Sequence, residues 1–312
     1  MNTPSAKRVG FMGTPEFSVP ALEALASVYE IPIVITQPDR PAGRTLQLTP
    51  SAVKTKALQL GIPVLTPARV RKNPQFLAQI ADLNLDAIVV VAYGQILPQE
   101  FLDIPPFGCY NIHASLLPHF RGAAPIQRAI LEGCPETGIT IIRMDAGLDT
   151  GDMVLKKATP IDAMNAAQLH DHLAPLGAEA ILEALAAVFQ GTAQFTPQDH
   201  SQHTYAPKLR REEGILTWHE DAVTLERRIR AFTPWPGCRC RWRDKDVKIL
   251  EAEPTQGSGA PGQVLSIDLQ GIEIACRQGA LRLKKVQPQG KRVIDAHAFA
   301  NGYGVQVGNT FL

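Results

Sequence analysis

The sequence predicts an α/β fold followed by a smaller β-rich domain, and three observations carry that expectation. Through the first half, short apolar runs alternate with segments of helical period, as in βαβ units wound about a parallel sheet. From Thr192 to Pro207 the chain turns polar, rich in Gln, His, Thr and Pro, as a linker does. Beyond it, short strand-like runs follow one another between turns of Gly, Ser, Asp and Gln, a pattern that suits a small barrel. The expected architecture is a Rossmann-like, doubly wound, mostly parallel sheet over 1–191, a linker at 192–207, and a C-terminal OB-like β-barrel over 208–312.

Lys7–Gly13 reads as a strand ending in glycine, and Phe17–Ser27 as a helix with Leu22 and Leu25 on one side. Ile31–Thr36 is an apolar strand, and Gln37–Pro50 a long polar loop. Ser51 is placed to cap a helix that runs to Leu60 and is ended by Gly61. Pro63–Leu65 reads as a short strand, Asn73–Leu83 as a helix, and Asp86–Ala92 as a strand apolar enough for burial on both faces. Cys109–His113 and Thr140–Met144 are two more strands, with a helix at Ala124–Glu132 between them. Residues 165–190 carry the longest helical pattern, which Pro175 should bend or break. After the linker come a helix at Asp221–Phe232 and strands at Arg239–Trp242, Val247–Ala252, Gly262–Ile267, Gly271–Cys276 and Leu281–Val286.

Composition narrows the class. The chain has 312 residues, 45% apolar and 20% charged, which excludes a disordered or fibrous protein. No uninterrupted apolar run approaches the ~18 residues of a membrane span, and Val9–Gly13 is too short and glycine-broken for a signal sequence. A cytoplasmic protein with no membrane partner, acting as a monomer, is the expectation. Five scattered cysteines form neither a disulfide framework nor a zinc site, and Cys238-Arg239-Cys240 reads as alternating strand positions. His170 and His172, two apart on a helix, do not share a face, so no metal is expected. The net charge of +1 hides an asymmetry: residues 1–206 hold 14 basic and 18 acidic side chains, residues 207–312 hold 17 and 12. A basic second half suits a polyanion such as nucleic acid.

The chemistry gathers at two places. Asn111 and His113 alternate with Ile112 near the end of a predicted strand, so they point the same way, about 7 Å apart along the chain. An amide and an imidazole delivered to the crevice beyond a doubly wound sheet make a donor pair suited to a developing oxyanion. Later, Asp145 to Asp152 brings three carboxylates and two glycines, Gly147 and Gly151, with Asp149 between them. Glycines there let the backbone bend close to a ligand.

Here the sequence resembles the folate-dependent formyltransferases. Asn111-x-His113-x-Ser115-Leu116-Leu117-Pro118 and Gly147-Leu148-Asp149-Thr150-Gly151-Asp152 match that family's pattern without a break. Gly13–Phe17, Gln37–Arg44, Ala92-Tyr93-Gly94, Arg121–Gln127 and Arg230–Gly237 resemble the branch that acts on methionyl-tRNA, so the likeness covers nearly the whole chain.

The resemblance implies transfer of a formyl group from 10-formyltetrahydrofolate to the α-amino group of initiator methionyl-tRNA, leaving tetrahydrofolate. It implies Asn111 and a protonated His113 as oxyanion donors and Asp149 as the group that favours the charged ring and passes the proton. Ser115, Leu116, Leu117, Pro118, Gly147 and Gly151 would line the folate. Arg44 would reach the acceptor end of the tRNA, although Thr45-Leu46-Gln47 follows where relatives carry a basic pair. Lys208, together with Arg239, Arg241 and Arg243 alternating along one strand, would meet tRNA phosphates. The three tryptophans are read as packing residues. Formylation of glycinamide ribonucleotide or an amino sugar nucleotide, and an inactive RNA-binding protein, are the competing readings. A small phosphorylated acceptor has no use for a basic module of this size.

Overall fold

The structure is a computed structural model that describes residues 7–42 and 47–312; Arg44, with Thr45 and Leu46, lies outside the described residues. The described chain forms two units. One comprises the residues up to Gly122, Thr137–Pro160 and His170–Ala206; the other comprises Ala123–Glu136, Ile161–Leu169 and Pro207–Leu312.

Elements follow the expected alternation: β1 (Val9–Gly13), α1 (Val19–Val28), β2 (Val34–Ile35), a hairpin β3 (Arg40–Ala42) and β4 (Gln47–Thr49), α2 (Ala52–Gln59), β5 (Val64–Leu65), α3 (Pro74–Ala81), β6 (Ala87–Val91), α4 (Gln99–Leu102), β7 (Cys109–His113), β8 (Arg121–Gly122), α5 (Pro125–Leu131), β9 (Glu136–Arg143), β10 (Met153–Pro160), α6 (Ala166–Gln190) and β11 (Tyr205–Ala206). Ser51 caps α2 as its sequence suggests, its side chain accepting from the Lys54 N–H. Seven strands form one sheet in the order β10-β9-β7-β6-β1-β2-β5. β1 pairs in parallel with β2 and β6, and β6 with β7. The chain thus reverses direction of growth between β1 and β6, where doubly wound sheets open a crevice. Thr14 and Gln37 both donate to the Tyr93 carbonyl and tie together the loops that follow β1, β2 and β6.

Four expectations need correction. The strand expected at Thr140–Met144 begins at Glu136 and runs antiparallel to β7, pairing His113 with Thr140 and Tyr110 with Arg143. β10 is an addition to the expected strands: it lies at the sheet edge, is largely half-exposed, and Lys156 and Lys157 interrupt its apolar residues. The segment Gln37–Pro50, read as loop, contains the β3–β4 hairpin. Pro175 does not break α6, which is one helix from Ala166 to Gln190. The proline is exposed, and the carbonyl it leaves unpaired belongs to exposed Asp171, where water can serve it. By length and composition α6 could cross a membrane, but half of its most apolar window is buried in the fold. Gly177 brings it so close to β7 that an added Cβ would lie 2.9 Å from Ile112 Cγ2.

The second unit carries α7 (Ala222–Ala231), β12 (Cys238–Trp242), β13 (Lys245–Thr255), β14 (Val264–Asp268), β15 (Gly271–Ala275), β16 (Ala280–Pro288), β17 (Ile294–Asp295) and α8 (Ala296–Tyr303). Its sheet is antiparallel, in the order β12-β13-β16-β15-β14, with β17 on β16. The C-terminal tail covers both edges: the Val264 N–H donates to Asn309 O beside β14, and Leu312 exchanges backbone hydrogen bonds with Arg241 of β12. That closure is compatible with the expected barrel. Phe311 brings Trp218, Trp242 and Phe299 together in its core, so two tryptophans pack as expected; Trp235 instead is 54% exposed.

Candidate active site

β7 sets the first two groups. Cys109, Asn111 and His113 share one face of the strand, and Ile112 faces α6 on the other. Asp149 arrives by a different route. Because β9 is antiparallel, the chain leaves it at Arg143, opposite Tyr110, and the turn at 145–152 must carry Asp149 back to β7. It does so with Asp149 in the left-handed region (φ 55°), a conformation that aspartate tolerates through its short polar side chain. The Asp145 carboxylate supports the turn, accepting from the Gly147 N–H at 3.0 Å and the Thr150 hydroxyl at 2.6 Å. Gly151 is a steric requirement, since a Cβ there would lie 1.8 Å from the Arg143 carbonyl oxygen.

Two donors and the His113 ring then converge on one carboxylate. Asn111 Nδ2 donates to Asp149 Oδ1 at 3.3 Å, and the Gly122 N–H donates to Oδ2 at 2.8 Å. His113 Nδ1 stands 3.6 Å from Oδ2. His113 Nε2 lies 2.9 Å from the Phe120 carbonyl, which only accepts, so this nitrogen carries a hydrogen. The other ring nitrogen, Nδ1, is the one that faces Asp149, without a hydrogen bond to it. His113 is 5% exposed, and the Asp149 side chain 12%. At that burial, charge–charge interactions are screened far less than in bulk water.

Behind β7, Thr140 holds the Ser115–Pro118 turn: its hydroxyl donates to Ser115 O and accepts from the Leu117 N–H. Ser115 and Leu117 are fully buried, the Ser115 hydroxyl donating to His119 O at 2.6 Å, while Leu116 and Pro118 keep partial exposure. No base touches the Ser115 hydroxyl, and burial pushes the Cys109 thiol well above its ordinary range. Neither is poised as a nucleophile. Among the described residues, no cluster of three or more His, Cys, Asp or Glu stands ready for a metal ion.

The segment 192–206 supplies residues that sequence reasoning missed. Thr196 bridges to Met153, the Thr204 hydroxyl accepts from the Phe120 N–H, and β11 pairs with β8. Buried Gln198 donates through Nε2 to the carbonyls of Asp149 and Gly151, each at 2.8 Å. Buried Arg121 grips Gln198 Oε1 through Nε at 3.0 Å and Nη2 at 2.7 Å. Arg121 stands inside a motif that the sequence displays; Gln198, in a run of polar residues, carries no signal.

In the second unit, Cys238, Cys240 and Trp242 point inward from β12, while Arg239 and Arg241 point outward and Lys208 is exposed. Arg243 does not continue that stripe. It lies past the strand in a turn with positive φ, its guanidinium 5.2 Å from the centre of the Trp242 ring. Arg241 pairs in register with Asp246, and Arg239 with Lys248.

Residues 8–185 match the formyl transferase family model and residues 208–304 that of the formyl transferase C-terminal domain. The chain is 47% identical over 303 residues to the methionyl-tRNA formyltransferase of Citrifermentans bemidjiense, covering 96% of this chain and 95% of the relative. It is 50% identical over 295 residues to that of Pseudomonas entomophila, covering 94% and 95%. Among solved structures, WlaRD, a sugar 3N-formyl transferase crystallised with dTDP and 5-N-formyl-THF, aligns with a TM-score of 0.67 at 18% identity, over 92% of this chain and 99% of that one. HypX from Aquifex aeolicus in complex with tetrahydrofolic acid aligns with a TM-score of 0.63 at 20% identity, over 97% of this chain and 48% of that one. At those identities the two structures speak for the fold.

Proposed function

The chain belongs to the methionyl-tRNA formyltransferase family, and from that premise we propose that Asn111, His113 and Asp149 carry its reaction. The enzyme transfers the formyl group of 10-formyltetrahydrofolate to the α-amino group of methionyl-tRNA. The amine attacks the formyl carbon, a carbon–nitrogen bond forms, and the bond to the folate nitrogen breaks. Meanwhile the carbonyl oxygen gains negative charge, the amine sheds a proton, and the folate nitrogen takes one up. Asn111, through its second Nδ2 hydrogen, and a protonated His113, through Nδ1–H, supply hydrogen bonds to that oxygen, and one such donor lowers a barrier by ~2.7–4 kcal/mol. Asp149 steadies the charged imidazole, accepts the amine's proton and passes it to the departing folate nitrogen, directly or through water.

The observation that carries this reading is the meeting of an amide, an imidazole and a carboxylate from positions 38 residues apart, within 3.3–3.6 Å, in a site with no competing nucleophile. Folate would lie against the turn at Gly147–Gly151 and the exposed parts of Ser115–Pro118. In this reading residues 1–191 form the catalytic domain, 192–207 a linker and 208–312 a tRNA-binding domain that uses Lys208, Arg239, Arg241 and Arg243, with Arg44 at the acceptor end. The acceptor is the initiator form of the tRNA, and the protein works as a cytoplasmic monomer without a membrane partner.

Purified protein given 10-formyltetrahydrofolate and offered charged initiator tRNA, charged elongator tRNA or glycinamide ribonucleotide tests this assignment. Transfer to the first alone is expected. Strong transfer to glycinamide ribonucleotide overturns the tRNA assignment.

A further inference from the structure

Gln198 joins two groups that the reaction scheme leaves unexplained. Its amide nitrogen is shared between the Asp149 and Gly151 carbonyls, and so grips the left-handed turn on both sides of Thr150. Its amide oxygen takes two donors from Arg121, a buried cation for which no carboxylate partner is found among the described residues. The next residue, Gly122, donates its backbone N–H to the Asp149 carboxylate. Two neighbours therefore hold Asp149 from opposite ends, Gly122 by the side chain and Arg121, through Gln198, by the backbone. Arg121 Nη2 also lies 3.1 Å from His200 Nδ1, which anchors the guanidinium on the same segment.

We infer that Gln198 is a positioning residue of the transfer site: with Arg121 it fixes the Asp149 turn, so that the carboxylate meets His113 and Asn111. The need arises from the topology. A turn that starts beside the amino end of β7 and doubles back has no strand pairing to hold its tip, and a positive φ at Asp149 is intrinsically unfavourable. A buried amide offers what the turn lacks, two donors for its carbonyls and an acceptor for an anchored cation. A merely structural peg would stabilise the fold without acting through Asp149. The inference rests on the proton-handling role proposed for Asp149, and the two are separable by experiment.

The test is a double-mutant cycle on the full chain, read as single-turnover and steady-state formylation of initiator methionyl-tRNA. Gln198→Glu preserves the acceptor for Arg121 but sets a carboxylate oxygen against the Asp149 and Gly151 carbonyls. The expected result is a fall in rate of about 10²-fold, as for an ångström-scale misplacement, with KM for both substrates nearly unchanged. In an Asp149→Asn background the same change should have almost no further effect, because a residue that acts through Asp149 has nothing left to position. Arg121→Lys, which keeps the charge but not the two-pronged grip, should lower the rate in the same direction and serves as the readout if Gln198→Glu does not fold. Wild-type rates in Gln198→Glu or, should it not fold, in Arg121→Lys overturn the inference, as do losses that multiply independently in the cycle. Near-normal turnover in Asp149→Asn alone strikes the proposed proton transfer instead.

Discussion

Replacing Asp149 by Asn tests the chemistry with the least disturbance of the architecture. Asparagine tolerates the left-handed backbone found at Asp149, and its one side-chain oxygen can still accept the Gly122 N–H, 2.8 Å from Oδ2. The amide's NH2 then faces Asn111 Nδ2, which donates to Oδ1 at 3.3 Å in the parent, so donor meets donor. One hydrogen bond to a charged acceptor is lost, worth about 1.5–3 kcal/mol, and the partial exposure of the site lets water recover some of it. The cost to the reaction is larger. With no carboxylate to take the amine's proton, kcat should fall about 10²–10⁴-fold, or about 3–5 kcal/mol of barrier. Asp149→Ala adds two structural penalties, about 1–2 kcal/mol for an ordinary residue in the left-handed region and about 1–3 kcal/mol for an unsatisfied Gly122 N–H. It should therefore melt below Asp149→Asn while being no more active. Steady-state kcat and KM for both substrates, with thermal unfolding of each variant, decide the matter. An Asp149→Asn enzyme that turns over within a few-fold of the parent refutes the proton-handling role.

Asn111→Ala should lower kcat by about 10²–10³-fold with little change in KM for the formyl donor, since it removes one oxyanion donor; a loss confined to KM would make Asn111 a ground-state contact. Gly151→Ala sets a Cβ 1.8 Å from the Arg143 carbonyl oxygen and should lower both the melting temperature and the rate, whereas Gly147→Ala meets the Thr150 side chain, its Cβ at 3.1 Å and its hydroxyl closer, rather than backbone, and should be milder. Equal melting of these two variants would show that the turn is not held where described. Arg239→Ala with Arg241→Ala should raise KM for tRNA and flatten its salt dependence by about one unit of slope for each phosphate no longer neutralised, with kcat preserved. An unchanged salt slope would remove that strand from the tRNA surface.

What the sequence disclosed, and what it withheld, follows from the range of the interactions. β7 was legible because Asn111 and His113 alternate with Ile112, and alternation is a property of neighbours. The α2 cap was legible for the same reason: Ser51 bonds a group three residues away. The direction of β9 was not, because an apolar strand reads alike in either sense and only its pairing with β7 orients it. β10 was hidden because an edge strand need not be apolar. Arg243 falls outside its stripe because the hairpin turn begins one residue before strict alternation would end. Gln198 was invisible in principle, since its partners lie 49, 47 and 77 residues away and a buried glutamine has the same letter as a solvated one.

The antiparallel β9 links these results. Had it run parallel to β7, its carboxyl end would have delivered a carboxylate to the crevice directly, as the βαβ pattern suggests. Running the other way, it places Asp149 at the tip of a returning turn, and a turn tip needs outside support to be held to within the few tenths of an ångström that proton transfer demands. Gly122 and Gln198 supply that support from segments at either end of the β8–β11 pair. On this argument the polar segment at 192–206 is part of the machinery that shapes the site. Cleaving the backbone within it, with the fragments still associated, should then reduce the transfer rate more than it weakens substrate binding.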